Sequence, residues 1–130
     1  MSSEAREFGL SQIGQISVTV YDLDRAVEFY RDTLGVEYQF QVPGMAFFNL
    51  SGVRLVLAVP EREEFDHPGS VIYYRVDDVR QAYEILKSRD VRFEAEPHIV
   101  ARLDTHELWM AFFRDVDGNL LALMGEVPNS

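Results

Sequence analysis

The chain has 130 residues, 47% of them hydrophobic, no cysteine, and 22 acidic against 12 basic side chains, for a formal net charge of -10. A chain of this size buries roughly two thirds of its unfolded surface as one domain without disulfides or a structural zinc. The lack of cysteine excludes thiol nucleophiles, redox pairs and iron–sulfur centres, and leaves any metal to His, carboxylate or amide oxygen. The negative charge argues against nucleic acid and anionic membrane surfaces as partners. No apolar run approaches the roughly 18 residues of a membrane span, and Met1 to Gly9 carry charges where a signal peptide needs an apolar core, so a cytoplasmic protein is expected.

After a polar arm over residues 1–10, the chain alternates from Gln12, with Ile16, Val18 and Val20 on one side of a strand and Gln15, Ser17, Thr19 and Tyr21 on the other. Asp22 reads as an N-cap. Leu23, Ala26, Val27, Tyr30 and Leu34 then form one helical stripe of about three turns, closed by Gly35. Strands follow at 36–42, 45–50 and 53–59, with turns at Pro43-Gly44 and Ser51-Gly52. Residues 60–69 are a charged connector that includes His67, whose position there predicts solvent exposure.

The first pattern then begins again. A strand is predicted at 71–76, Asp78 is an N-cap, and Val79, Ala82, Tyr83 and Leu86 repeat the earlier helical spacing; Val76, Asp78, Ala82 and Glu84 match Val20, Asp22, Ala26 and Glu28 at a constant offset. Asp90 takes the place of Gly35, since Asp visits the left-handed region more readily than most residues. Strands at 91–98, 107–114 and 119–125 complete the second unit, the last two joined by the hairpin signal Asp115-Val116-Asp117-Gly118.

Two units of this kind, "VYDLDRAVEFYRDTLGV" opening the first and "FFRDVDGNLLALM" closing the second, resemble the vicinal oxygen chelate superfamily of glyoxalase I, fosfomycin- and bleomycin-resistance proteins, extradiol dioxygenases and methylmalonyl-CoA epimerase. The resemblance covers Gln12 to Met124. It implies an α+β fold of two tandem βαβββ modules, 12–59 and 70–126 with linker 60–69, forming a cup-shaped mixed sheet with helices on the outer face. It also implies a homodimer, in keeping with the need to cover exposed sheet edges. Enzymes of the superfamily hold a divalent metal on four strands. The corresponding places here are Gln15, Val56, Val71 and Ala122, of which three are hydrocarbon, so the usual metal site is predicted absent and no cofactor is expected.

Strand alternation from those four places puts Ser17, Thr19, Arg54, Ala58, Tyr73, Arg75, Leu120 and Met124 on the cup face. Gln15, Thr19, Tyr73, Arg75 and Trp109 are the candidate ligand-binding residues: Arg75 for an anionic group, Trp109 as a stacking wall, Gln15 and Thr19 as polar anchors. Core packing is the competing reading for Trp109, Phe112 and Phe113, and likewise for Tyr38, Phe40, Phe47 and Phe48. Tyr73, His98 and His106 are the catalytic candidates. A regular hairpin brings His98 and His106 near one another, with Glu107 facing away.

Two functions follow from this reading. The first is a glyoxalase/bleomycin-resistance-like protein that binds a small anionic or aromatic molecule in the cup without the usual metal. The second is an enzyme of lyase, isomerase or dioxygenase type, using a displaced metal or metal-free acid–base chemistry.

Overall fold

The computed structural model describes Phe8 and residues 11–61 and 69–128; His67 and most of the charged connector lie outside these residues. The first module runs β1 (Gln15–Thr19), α1 (Leu23–Glu28, continued by a wide turn over Phe29–Thr33), β2 (Glu37–Val42), β3 (Met45–Leu50) and β4 (Val53–Ala58). The second runs β5 (Ile72–Arg75), α2 (Val79–Ser88), β6 (Arg92–Phe93), β7 (His98–Arg102), β8 (His106–Arg114) and β9 (Leu120–Pro128). No helix among the described residues is long and apolar enough to cross a membrane.

The duplicated caps do the same work in both modules. The Asp22 carboxylate accepts from Arg25 N–H at 3.1 Å and that of Asp78 from Gln81 N–H at 3.0 Å, each satisfying one orphan donor of a helix N-terminus. The chain leaves each helix through a left-handed residue, Gly35 at φ +76° and Asp90 at φ +66°. One local feature escaped the helical spacing. The second half of the first helix has i to i+5 hydrogen bonds, Leu34 N–H to the Phe29 carbonyl at 2.9 Å.

The α+β architecture is built as two mixed sheets, β1-β4-β3-β2 and β5-β9-β8-β6, with β7 added against β8. In each, the first strand pairs parallel to the last, β1 with β4 and β5 with β9, and the remaining pairs are antiparallel. The single strand expected over 91–98 is broken. Only Arg92 and Phe93 pair with β8 before Pro97, which has no N–H for a ladder, and pairing resumes at His98.

One face of each sheet carries its helix, and these two faces share one core that includes Val20, Tyr30, Phe48 and Leu57 from the first module and Tyr83, Leu86, Phe113 and Leu121 from the second. The modules are also joined through polar groups. Tyr30 Oη donates to Asp115 Oδ2 at 2.7 Å, Asn119 Nδ2 to the Thr19 carbonyl at 2.9 Å, and Tyr21 N–H to Asp117 Oδ1 at 3.0 Å. Asp115, 1% exposed, accepts from four donors and is the centre of this joint. Burial, and next the Asp115 carboxylate, push the Tyr30 hydroxyl far above the usual tyrosine range, so it remains a donor.

Asp117 is less well served. Burial raises its carboxyl above the ordinary value of 3.8 despite the Tyr21 N–H and with Asp115 nearby, and its Oδ2 is buried without a partner among the described residues. Folding therefore favours the protonated form. The resulting stability is fully present below the unfolded value and lost as pH rises through the folded one. Asp117→Asn keeps the acceptor for Tyr21, so its melting temperature relative to wild type should rise between pH 4 and pH 7. A thermal-melt series in which that difference stays flat across this range would remove Asp117 as the source.

Candidate functional site

The face of each sheet opposite its helix is the one expected to line the cup. In the first module it carries Gln15, Ser17 and Thr19 of β1, Arg54, Val56 and Ala58 of β4, and Met45 and Phe47 of β3, as the register dictates. Phe40 stacks on Phe47, with centroids 4.6 Å apart and planes 18° apart, and the Arg54 guanidinium lies over the Phe47 ring at 5.3 Å. Ser17, Thr19, Met45 and Ala58 line a cavity of about 420 Å³ on this face, which Gln15 does not reach.

In the second module the rows Tyr73–Ala122–Phe112 and Arg75–Met124–Met110–His98 run across the sheet. Phe112 is flanked by Tyr73, edge-on at 6.0 Å, and by His98, near-parallel at 6.3 Å. Together they make an aromatic shelf whose polar atoms are the Tyr73 hydroxyl and the His98 imidazole. Tyr73 is 46% exposed. Such a shelf can stack a flat ring and offer it two hydrogen-bonding groups.

The candidates named from sequence therefore separate. Tyr73 and His98 meet on the shelf. His106 does not join them: His98 faces Met110 across the ladder, and His106 lies four residues away along β8, roughly 13 Å at the strand rise. His106 Nε2 pairs with Glu126 on β9, and Nδ1 contacts Thr105 Oγ1 at 2.9 Å. Glu107 lies on the other face, as alternation requires, accepting from Trp109 Nε1 at 3.2 Å and from Arg102 at 3.2 Å.

Trp109 packs against the shared core on the helix side, so it does not face the shelf; Phe112, of opposite parity on β8, does. Arg75 follows Tyr73 on the same face of β5, opposite Met124, and also borders a cavity between the modules. Phe112 and Met110 are the shelf residues that the sequence reading left unassigned. The signal that finds them is the pairing of Phe112 with Ala122, available once the β8–β9 register is known.

The four places that hold metal in enzymes of the resembled superfamily present one amide and three hydrocarbon side chains. Gln15 is exposed, Val56 is 1% exposed, Val71 is half-buried and Ala122 is 0% exposed. This donor set does not fit a divalent cation. Among the described residues, no three His, Asp or Glu side chains gather closely enough to hold one elsewhere.

Comparison with known families accords with the two-module topology. A model of the Glyoxalase/Bleomycin resistance protein/Dioxygenase superfamily matches residues 12–123. The chain belongs to that superfamily. It is 30% identical over 121 residues to the metallothiol transferase FosB of Staphylococcus haemolyticus, covering 85% of this chain and 81% of that protein. Among solved structures, a superfamily member from Sphaerobacter thermophilus superimposes with a TM-score of 0.75 at 26% identity, over 90% of this chain and 98% of that one. TnmS3, an antibiotic-binding protein from a Streptomyces species, does so with a TM-score of 0.72 at 23% identity, over 95% and 100%. The superfamily fold thus carries both a transferase and a binding protein.

Proposed function

We propose that the protein binds a small aromatic, anionic molecule on the helix-free faces of its sheets and does so without the divalent metal of the superfamily's enzymes. The observation that carries this reading is the donor set: hydrocarbon at three of the four ligand places, two of them buried. The aromatic shelf of Tyr73, Phe112 and His98, and the Arg54–Phe47–Phe40 stack on the other module, supply what such a ligand needs. Homodimer formation belongs to the same reading, with exposed Phe40 and Val42 on the outer strand β2 as the apolar edge to be covered.

The likeness to FosB favours a second reading, a metal-dependent transferase with a displaced centre. His106, with Glu126 beside it, is where such a centre would begin.

Both readings meet in one experiment on purified, metal-stripped protein. Calorimetric titration with 1-naphthoate should show binding that is unchanged by EDTA and about tenfold weaker in Phe112→Ala, the loss expected for an aromatic stacking partner. Stoichiometric uptake of Zn²⁺ or Mn²⁺ that His106→Ala abolishes would sink the metal-free reading in favour of the displaced centre. A preparation that elutes at the 15.0 kDa of one chain under light scattering would remove the dimer.

A further inference from the structure

The far end of the β7–β8 hairpin holds a group of side chains that ligand binding on the shelf does not use. The turn over Asp104 and Thr105 is closed by Leu103 N–H donating to the His106 carbonyl at 2.8 Å, which fixes the backbone on both sides of Thr105. There the Thr105 hydroxyl lies 2.9 Å from His106 Nδ1, and the other nitrogen of the same ring, Nε2, contacts the Glu126 carboxylate of β9. Hydroxyl, imidazole and carboxylate stand in one chain.

The carboxylate can only accept, so it holds the proton of the neutral imidazole on Nε2 and leaves a lone pair on Nδ1, to which the Thr105 O–H donates. A hydroxyl bonded to a base that a third group orients is the arrangement that activates an oxygen nucleophile. All three groups are within reach of solvent. Thr105 is exposed, and the side chains of His106 and Glu126 keep 26% and 47% of their surface.

The surroundings select the substrate. Leu103, 48% exposed, stands opposite His106 across the turn, and the register puts Ala101 and Leu108 in the next row of the same face, beside Glu126. They offer hydrocarbon to an acyl chain, while Asp104 and Glu126 disfavour an anionic one.

We propose that Thr105, His106 and Glu126 form an acyl-transfer site for small, neutral, apolar esters, separate from the aromatic shelf. Thr105 Oγ1 attacks the ester carbonyl carbon as its proton passes to His106 Nδ1. The bond from that carbon to the alcohol oxygen breaks, and the leaving oxygen takes the proton back from the imidazolium. Water then attacks the acyl-threonine with the same imidazole as base, which releases the acid and restores the hydroxyl. Glu126 stays ionised throughout and stabilises the imidazolium.

The test uses the whole chain, metal-stripped and with EDTA present, and p-nitrophenyl butyrate as the ester. Peptide mass mapping of acid-quenched protein should place a butyryl group on Thr105, and p-nitrophenolate release should exceed that of buffer. Thr105→Ser should keep both signals, and Thr105→Val should lose both; the two variants differ from wild type only at an exposed turn. His106→Gln should slow butyrylation of Thr105 about a hundredfold, the lower end of what a general base supplies, and Glu126→Gln about tenfold. Glu107→Gln, on the opposite face, should leave the rate unchanged. An undiminished rate in Thr105→Val would overturn the proposal, as would butyryl groups on His106 or lysine but not on Thr105, or a rate that appears only when Zn²⁺ is added.

Discussion

Asp115→Ala should lower the unfolding free energy by about 3–5 kcal/mol, because several buried donors lose their acceptor at about 1–3 kcal/mol each. Asp115 is 1% exposed and accepts from Tyr30 Oη at 2.7 Å, Asn119 Nδ2 at 2.8 Å, and the backbone N–H groups of Asp117 and Asn119 at 2.8 and 2.9 Å. Alanine leaves all four donors unanswered. Two of them hold the β8–β9 turn and one, Tyr30, belongs to the other module, so the loss reaches both halves of the molecule. Tyr30→Phe removes a single donor and should cost less, about 1.5–3 kcal/mol for a hydrogen bond to a charged group. Chemical denaturation monitored by Trp109 fluorescence measures both. Asp115→Ala within about 1 kcal/mol of wild type would show that the joint does not hold the modules together.

Gly125→Ala is the second large effect expected, a destabilisation of about 1–3 kcal/mol from overpacking. A Cβ at Gly125 would sit 2.6 Å from Val79 Cγ2 and 2.9 Å from the Val76 carbonyl oxygen. The first neighbour is a side chain. The second is backbone at the end of β5, and it moves only if β5 and the start of α2 move with it. Glycine is required here by close approach, where β9 runs beneath the start of the second helix. Gly14→Ala is the matched control, since a Cβ there meets nothing within 4 Å, and it should stay within about 0.5 kcal/mol of wild type. Equal denaturation midpoints for the two alanine variants would refute the close approach.

The shelf and the cavities were legible in the sequence to different degrees, and particular residues show why. Tyr73 was named from strand parity and His98 as an ionisable residue flanking a hairpin, and the structure brings both to one aromatic ring. His106 was named with them on the expectation of a regular hairpin. The ladder instead sets His98 opposite Met110 and closes the hairpin near Arg102 and Glu107, which leaves the second imidazole at the far end of β8. Trp109 and Phe112 carry equally strong aromatic signals three positions apart; only pairing with β9 assigns one to the core side and the other to the shelf. Arg75 was assigned by parity to the same surface as Tyr73, and the β5–β9 register sets it there opposite Met124.

Local chemistry determined much of this protein directly from its residues. The Asp22 and Asp78 caps, the left-handed exits at Gly35 and Asp90, the turns at Gly44, Gly52 and Gly118 and the repetition of the module are encoded within a few residues of where they act. Hydrocarbon at Val56, Val71 and Ala122 is likewise a property of the chain alone. The tertiary structure decided what depends on partners far away in sequence. Asp115 reads locally as a turn residue, and it becomes the joint of the molecule only because Tyr30, 85 positions earlier, reaches it. Gly125 is indispensable only because Val76 and Val79 press on it. Caps and turns need a few consecutive residues, whereas burial, register and cavities are set by which surfaces meet after the chain has folded.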